Sequence, residues 1–379
     1  MQQINLVLDA IDRSVNYLVE RTKDNGMFEY RINLNPKIKP KEKYNILRHA
    51  GAIYAMGMCY ELQPDVKIKL AIEIAGKYLR DKAIHPVSGE DDNLLAVWSN
   101  PEVNRSGKPL QAKLGGTGLG LVALLCIEKI YPGFTPLSDL QSLARFLVYM
   151  QKEDGSFYSK YIHLMGGRCD RWQSLYYPGE AVLGLLMLYE QDASEVWLNA
   201  AIQALTYLAR LRENQTDLPA DHWALLATAK LLSLNNINQL SFSQELLINH
   251  GIQLCDVMLQ SQIENAQKSK YNGGFSRDGK ITPTATRLEG LQAALSFIPT
   301  NHGSAKRIDS AVSRGISFLL QAQIKEGEFI GAFPRAIGKI PLNRPKAREF
   351  NHRATEVRID YVQHALSAMI QYVQNHSPH

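Results

Sequence analysis

Cysteine is scarce. The 379 residues hold four, Cys59, Cys126, Cys169 and Cys255, far apart and with no CxxC pair. That excludes a disulfide framework and a cysteine-rich zinc knuckle, and it suits a reducing compartment. Long apolar runs are missing as well: no stretch reaches the roughly 18 residues of a membrane span. The amino-terminal MQQINLVLDAIDRSV puts Asp9 and Asp12 where a secretory signal needs an apolar core, so a cytoplasmic protein is the expectation. Charge of one sign is not in large excess either, with 42 Lys and Arg against 37 Asp and Glu and a formal net charge of +5. Apart from PKIKPKEK at 36–43 the surplus is dispersed, and no basic stripe interleaved with aromatics recurs. Nucleic acid is therefore not an expected partner, whereas a small anionic ligand is permitted. A phosphate loop is absent too, since GGTGLG at 115–120 lacks the GxxxxGK pattern and opens an apolar run. Close helix packing, or room for a ligand, explains it better.

What is present is a folded composition, 45% apolar and 21% charged, and a recurring design. Six runs rich in Ala and Leu lie at 48–61, 114–128, 176–190, 220–232, 286–298 and 358–372. Each begins with small or polar residues, and each is too long and too helix-prone for an ordinary strand. Helices apolar on all sides should be buried. Before each lies an amphipathic stretch, at 4–21, 67–81, 137–151, 195–211, 244–262 and 306–322. In the first, Ile4, Leu8, Ile11, Val15 and Leu18 recur at spacings of three and four, while Asp9, Asp12 and Arg13 can face water. Twelve helices in six pairs is the simplest count. Loops repeat a theme as well: TKDNGMF, MQKEDGSF, YNGGF and KEGEFIGAF end at Phe28, Phe157, Phe275 and Phe333. Gly and Asp close the outer helix there, and the aromatic can pack beneath the turn. The fourth pair lacks this phrase and the fifth has a longer insert.

Six such hairpins predict a closed double ring, since a solenoid would leave one helix set more amphipathic. The chain resembles the (α/α)6 toroids of the six-hairpin glycosidase-like superfamily and, more distantly, the terpenoid-cyclase-like toroids. The expectation is one all-α domain over 1–375, with 376–379 as a flexible tail.

In a toroid whose inner helices run in parallel, their starts converge on one rim. The sequence offers there Arg48 and His49; Thr117; Glu180; Asp221, His222 and Trp223; Arg287 and Glu289; and Arg358, Asp360, Gln363 and His364. Capping and the helix dipole account for one or two acids at such positions, not for this many ionisable groups. Each also has a bland reading. Glu180 suits core hydrogen bonding as well as ligand contact, Asp221 suits an ordinary N-terminal acid, and Trp223 suits packing. Arg287 and Glu289, two apart, do not share a helix face, so each would meet a neighbouring helix, in a structural ion pair or in the cavity. Asp360 and His364, four apart, do share one, and His49 reads either way. Arg48 and Arg287 favour an acidic substrate, aided by six helix amino ends. Tyr44, Tyr176 and Tyr177 can line the same mouth. The segment GRCDRWQSLYYPGE, with Arg168, Asp170, Arg171 and Trp172, reads as a polar rim or a lid.

The resemblance implies chemistry on saccharides. Hydrolysis of a glycosidic bond needs an acid and a carboxylate base or nucleophile, for which Asp221 and Glu180 are the leading candidates, with Glu289 and Asp360 behind them. The substrate-binding candidates are Arg48, His49, Tyr177, His222, Trp223, Arg287 and His364. Epimerases of the toroid class pass a proton through paired histidines, which would use His49, His222 and His364, and a uronate lyase would exploit the arginines. A saccharide- or peptide-binding toroid without catalysis would pair its inner carboxylates with Arg and Lys. Terpenoid cyclisation fits less well, because GEDDN at 89–93 holds only DD where that class uses DxDD. Neither a metal nor a cofactor is expected, and nothing indicates an oligomer.

Overall fold

The computed structural model describes residues 2–87, 93–105, 107–235, 241–264 and 270–377. The expected outer helices are α1 (Gln2–Glu20), α3 (Val66–Tyr78), α6 (Leu137–Tyr149), α8 (Glu195–Arg212), α10 (Gln244–Gln260) and α12 (Gly303–Ala322). The inner ones are α2 (Ile46–Leu62), α5 (Leu114–Ile130), α7 (Tyr177–Asp192), α9 (His222–Leu232), α11 (Ile281–Leu295) and α14 (Ile359–His376). Short helices α4 (Pro101–Asn104) and α13 (Ala347–Arg353) lie in connections. Each inner helix packs on the next, and α14 packs on α2, so the ring closes. The last helix runs to His376, whose ring bonds Tyr372 O and Asp309, one residue past the expected boundary. Among the described residues no helix is long and apolar enough to cross a membrane.

Local chemistry explains the boundaries. Asn45 Oδ1 accepts the Leu47 N–H and caps α2, and Asp65 does the same for α3 through the Lys67 and Ile68 N–H groups. Pro178 sits in the first turn of α7, where its missing N–H costs nothing. Glycines let the inner helices approach. At Gly118 a Cβ would stand 2.7 Å from the Glu180 carbonyl carbon, and at Gly179 it would stand 2.5 Å from that of Trp223. GGTGLG is thus a close-packing surface between α5 and α7.

Strands were not expected, yet two small antiparallel sheets sit in the connections that lead into the inner helices. One pairs β1 (Arg31–Asn33) with β7 (Glu356–Arg358), with Arg31 opposite Arg358. The other orders β2 (Ile84–Pro86), β3 (Leu95–Ser99), β4 (Gln111–Lys113), β5 (Lys160–Ile162) and β6 (Gly167–Cys169) side by side. Most of these segments are three residues long, too brief for their alternation to stand out in sequence. β4 and β7 run straight into α5 and α14, fixing the direction in which those helices start.

The glycine–aromatic phrase has one structural meaning in all four places. Gly26, Gly155, Gly273 and Gly331 each take positive φ two residues before a buried Phe28, Phe157, Phe275 or Phe333. Each abuts the backbone of the next outer helix in the ring: Gly26 that of Ile74 in α3, Gly155 that of Gln203 in α8, Gly273 that of Arg314 in α12, and Gly331 that of Arg13 in α1. The glycine therefore serves twice, for its conformation and for the approach. Gly155→Ala should meet left-handed strain of about 1–3 kcal/mol and a clash with the Gln203 carbonyl oxygen 2.6 Å from the new Cβ. Gly133→Ala has the same sign of φ but nothing within 4 Å, so strain alone should act. Urea denaturation should give a clearly lower midpoint for Gly155→Ala than for Gly133→Ala.

Candidate active site

The inner-helix starts surround a cavity of about 480 Å³. Of the residues expected at the rim, Arg48, Tyr177, Glu180, His222, Trp223, Arg287, Asp360 and His364 line it, with Tyr176 and Gln363. Glu289 lies behind His364 and binds it. Asp221, His49 and Tyr44 are elsewhere.

Asp221 was the leading acid candidate, and its position corrects that. Fully buried, it caps α9 through the Ala224 N–H (3.1 Å) and accepts a 2.8 Å bond from Arg212 Nη2, in the last turn of α8. Burial pushes its pKa up, and Arg212 and the helix N–H groups oppose that. Both oxygens are committed, and neither the residue nor its partner lines the cavity. His49 is a core histidine: the Tyr44 hydroxyl lies 2.7 Å from Nδ1 and the Ala75 carbonyl accepts from Nε2 at 3.0 Å. Tyr44 in turn accepts the Phe28 N–H, so it braces the first glycine turn.

Asp360 faces the cavity but is held on both oxygens. Arg358 grips it at 2.9 and 2.7 Å, and Arg48 Nε reaches Oδ2 at 2.9 Å. Burial alone would raise this carboxylate's pKa, but Arg48 and Arg358 hold it below the usual value. Asp360 is ionised and acts as a brace between the two arginines. Glu180 is the opposite case. It is buried at the cavity wall with Oε2 unbonded, and its pKa is raised well above normal by burial first and by Asp221 second, with Arg48 and Lys113 opposing. Its surroundings favour the protonated carboxyl over the carboxylate.

The remaining constellation joins three hairpins. His364 Nδ1 lies 2.8 Å from Glu289 Oε2, His222 Nε2 lies 3.9 Å from the same oxygen, and the two imidazoles meet edge to face with centroids 5.6 Å apart. Tyr176 and Trp223 pack on the His222 ring at 5.1 and 5.2 Å. Both His222 nitrogens are buried without a hydrogen-bond partner. Their environments drive the two histidines apart: burial, His364 and Arg287 lower the His222 pKa well below normal. For His364 burial also lowers it, but Glu289 outweighs that and raises it. The surroundings thus favour the neutral form of His222 and the protonated form of His364. Arg287 Nε is buried and unbonded, and Nη1 donates to the Pro283 carbonyl of its own helix, so this guanidinium has no carboxylate among the described residues. His222, Glu289 and His364 could also hold a divalent cation. The 2.8 Å contact between His364 and Glu289 has the length of a hydrogen bond.

Lys280, Arg335, Arg353 and Tyr361 also line the cavity and were not foreseen. They lie on connections and, for Tyr361, beside Asp360, outside the register used to choose candidates. The expected rim segment behaves as a rim: Asp170 pairs with Lys152, and Trp172 packs on Tyr177 under Lys160. Most of GEDDN, residues 89–92, lies outside the described residues.

Solved structures resemble the chain over its full length at low identity. A sugar epimerase from a ruminal bacterium matches with a TM-score of 0.71 and 10% identity over 100% of both chains. A cellobiose 2-epimerase from Bacillus thermoamylovorans matches at 0.68 and 11%, covering 98% of this chain and 99% of that one. An unsaturated glucuronyl hydrolase specific for heparin gives 0.63 and 12%, over 98% of each. The fold is that of the six-hairpin toroids. No protein-family model matches the chain, and no curated protein matches its sequence.

Two stability predictions follow from the geometry. Asp221→Ala should cost about 3–5 kcal/mol, because it strands a buried guanidinium, and a double Arg212→Met, Asp221→Leu change should recover most of it in chemical denaturation. His49 and His250 are buried neutral, with pKa values lowered by burial to about 4 and about 3 from 6.5. Their unfolded forms take up protons first, so stability should be full above pH 6.5 and fall as pH drops toward 4, which melting curves at stepped pH would record.

Proposed function

We propose that the protein is a sugar epimerase or isomerase that moves a proton at the carbon beside a sugar carbonyl. One observation carries the reading: His222 and His364 flank one oxygen of Glu289 at the cavity wall, one imidazole with both nitrogens free and its pKa lowered by burial, the other bonded to Glu289 and its pKa raised by it. Pairs of titratable groups driven apart by their surroundings are how one site supplies both base and acid near pH 7. The expected paired-carboxylate hydrolysis loses support, since Asp221 lies outside the cavity and Asp360 is bound on both oxygens. Glu180 alone is unpaired, and cleavage needs two groups. The likeness to toroids that include sugar epimerases supports a saccharide substrate.

In this mechanism neutral His222 takes the proton from C2 of the open-chain sugar. The C–H electron pair forms the C1–C2 double bond, and the carbonyl pair moves onto O1 to give an enediolate. Arg287, next to His222 and without a carboxylate of its own, stabilises that oxygen. His364, held by Glu289, returns a proton. Return to C2 on the other face gives the epimer, and return to C1 with transfer of the O2 proton gives the ketose. The step is redox-neutral.

Incubation of aldoses in deuterated water should give label at C2 by NMR. His222→Asn and His364→Asn should each lower exchange and product formation about 10²–10⁴-fold. Release of reducing ends from glycosides with no isotope exchange would overturn the reading. The kcat/KM profile should rise on an acid limb below the usual imidazole value, where His222 loses its proton. It should fall on an alkaline limb above that value, where His364 does. Chelator should leave the rate unchanged; loss restored by a divalent ion would assign the three donors to a metal instead.

A further inference from the structure

The cavity carries more positive charge than the proton transfer needs. Six cations line it: Arg48, Lys280, Arg287, Arg335, Arg353 and Arg358. Asp360 serves both Arg48 and Arg358, while Glu356 serves Arg353 and, from behind, Arg31. Lys280 is matched by Asp278. Arg287, placed beside His222, and Arg335 make no ion pair among the described residues, and the Arg335 Nη1 is buried with no hydrogen-bond partner. The Arg335 guanidinium stands 4.9 Å from the Phe350 ring centre, and its backbone is pinned on both sides, N–H to Glu356 O and carbonyl to the Ile281 N–H. The side chain is thus presented from a fixed backbone beside the start of α11, next to the hydroxyl-bearing wall of Thr282 and Thr286. A buried guanidinium donor without an acceptor is costly unless a ligand supplies one.

A second observation points the same way. The basic stretch at 36–43 folds back over the β1–β7 pair and forms a pocket of about 570 Å³ with Arg31, Lys39, Lys41 and Lys43 in its walls. That pocket shares Arg353 and Arg358 with the central cavity, so a basic surface runs from solvent to the site. The carboxylates in its walls are Glu349 and Glu356, the latter already bound to Arg353.

We propose that the central cavity holds a subsite for an anionic substituent of the sugar, a carboxylate, phosphate or sulfonate, received by Arg335 and reached over the basic surface of Arg353, Arg358 and the lysines at 39, 41 and 43. The inference deepens the saccharide reading above and rests on it. Guanidinium groups suit such oxyanions because their fork of donors matches paired oxygens. The lysine-rich approach raises the local concentration of the anion and makes capture sensitive to salt. Arg335 acts here as a binding residue.

The test compares kcat/KM for mannose, mannuronate and mannose 6-phosphate, the last two separating carboxylate from phosphate. At least one anionic sugar should be preferred over mannose at least tenfold at low ionic strength. Raising salt from roughly 20 to roughly 200 mM, which shortens the Debye length, should erode that preference. Arg335→Gln should reduce the anionic-to-neutral ratio at least tenfold, whereas Arg307→Gln, on the exposed face of α12, should not. A ratio near one, or one that Arg335→Gln leaves intact, overturns the subsite while the epimerase reading stands. Should no sugar exchange deuterium, the epimerase reading fails and the subsite is judged by thermal melting with glucuronate or inorganic phosphate. A rise in melting temperature lost in Arg335→Gln supports it, and no rise overturns it.

Discussion

Everything at the mouth of the ring follows from a directional constraint: the six inner helices begin at the same rim. Their positive ends therefore point into one space, which favours negative charge there and makes every buried acid or base at the rim answer to its neighbours. The helices come close enough for this because glycines stand where α5 meets α7 and where α7 meets α9. With bulkier residues at Gly118 and Gly179 the wall would widen, and Glu180 would lose the dry setting that raises its pKa.

Within that shared field, chemically similar residues have different fates. Asp360, Glu289, Glu180 and Asp221 all lie close to inner-helix starts, yet one braces two arginines, one orients a histidine, one keeps a buried oxygen unbonded and one caps a helix. The partner decides each case. Three histidines diverge in the same way: His49 is satisfied by Tyr44 and Ala75, His364 is bonded to Glu289, and His222 is left with free nitrogens.

This also explains what the sequence could reveal. The hairpins were legible because an all-round apolar helix following an amphipathic one is a local signal, and because a glycine two residues before a phenylalanine closes four of the pairs. Residues at inner-helix starts were found by register, and most of them do line the cavity. Their roles were not, since roles depend on partners far away in the chain. Arg212 reaches Asp221 from the end of an outer helix, and His364 meets Glu289 across 75 residues. Arg335 escaped notice because it sits in an irregular connection, and Arg353 because its helix, α13, has only 7 residues, too few for periodicity to mark which side chains turn inward. The sheets were missed for a related reason: three-residue strands exist by virtue of their neighbours.

The four glycine turns have a consequence for how the molecule is made. Each rests on the next outer helix, and the last, at Gly331, rests on α1 near Arg13. Ser14 and Gln323 hydrogen-bond across the same junction. Helix α1 thus waits for more than three hundred further residues before this neighbour exists. Its apolar stripe must stay covered by something else in the meantime. Synthesis adds hairpins one by one, but the ring becomes a ring only at the end, when the last hairpin returns to the first.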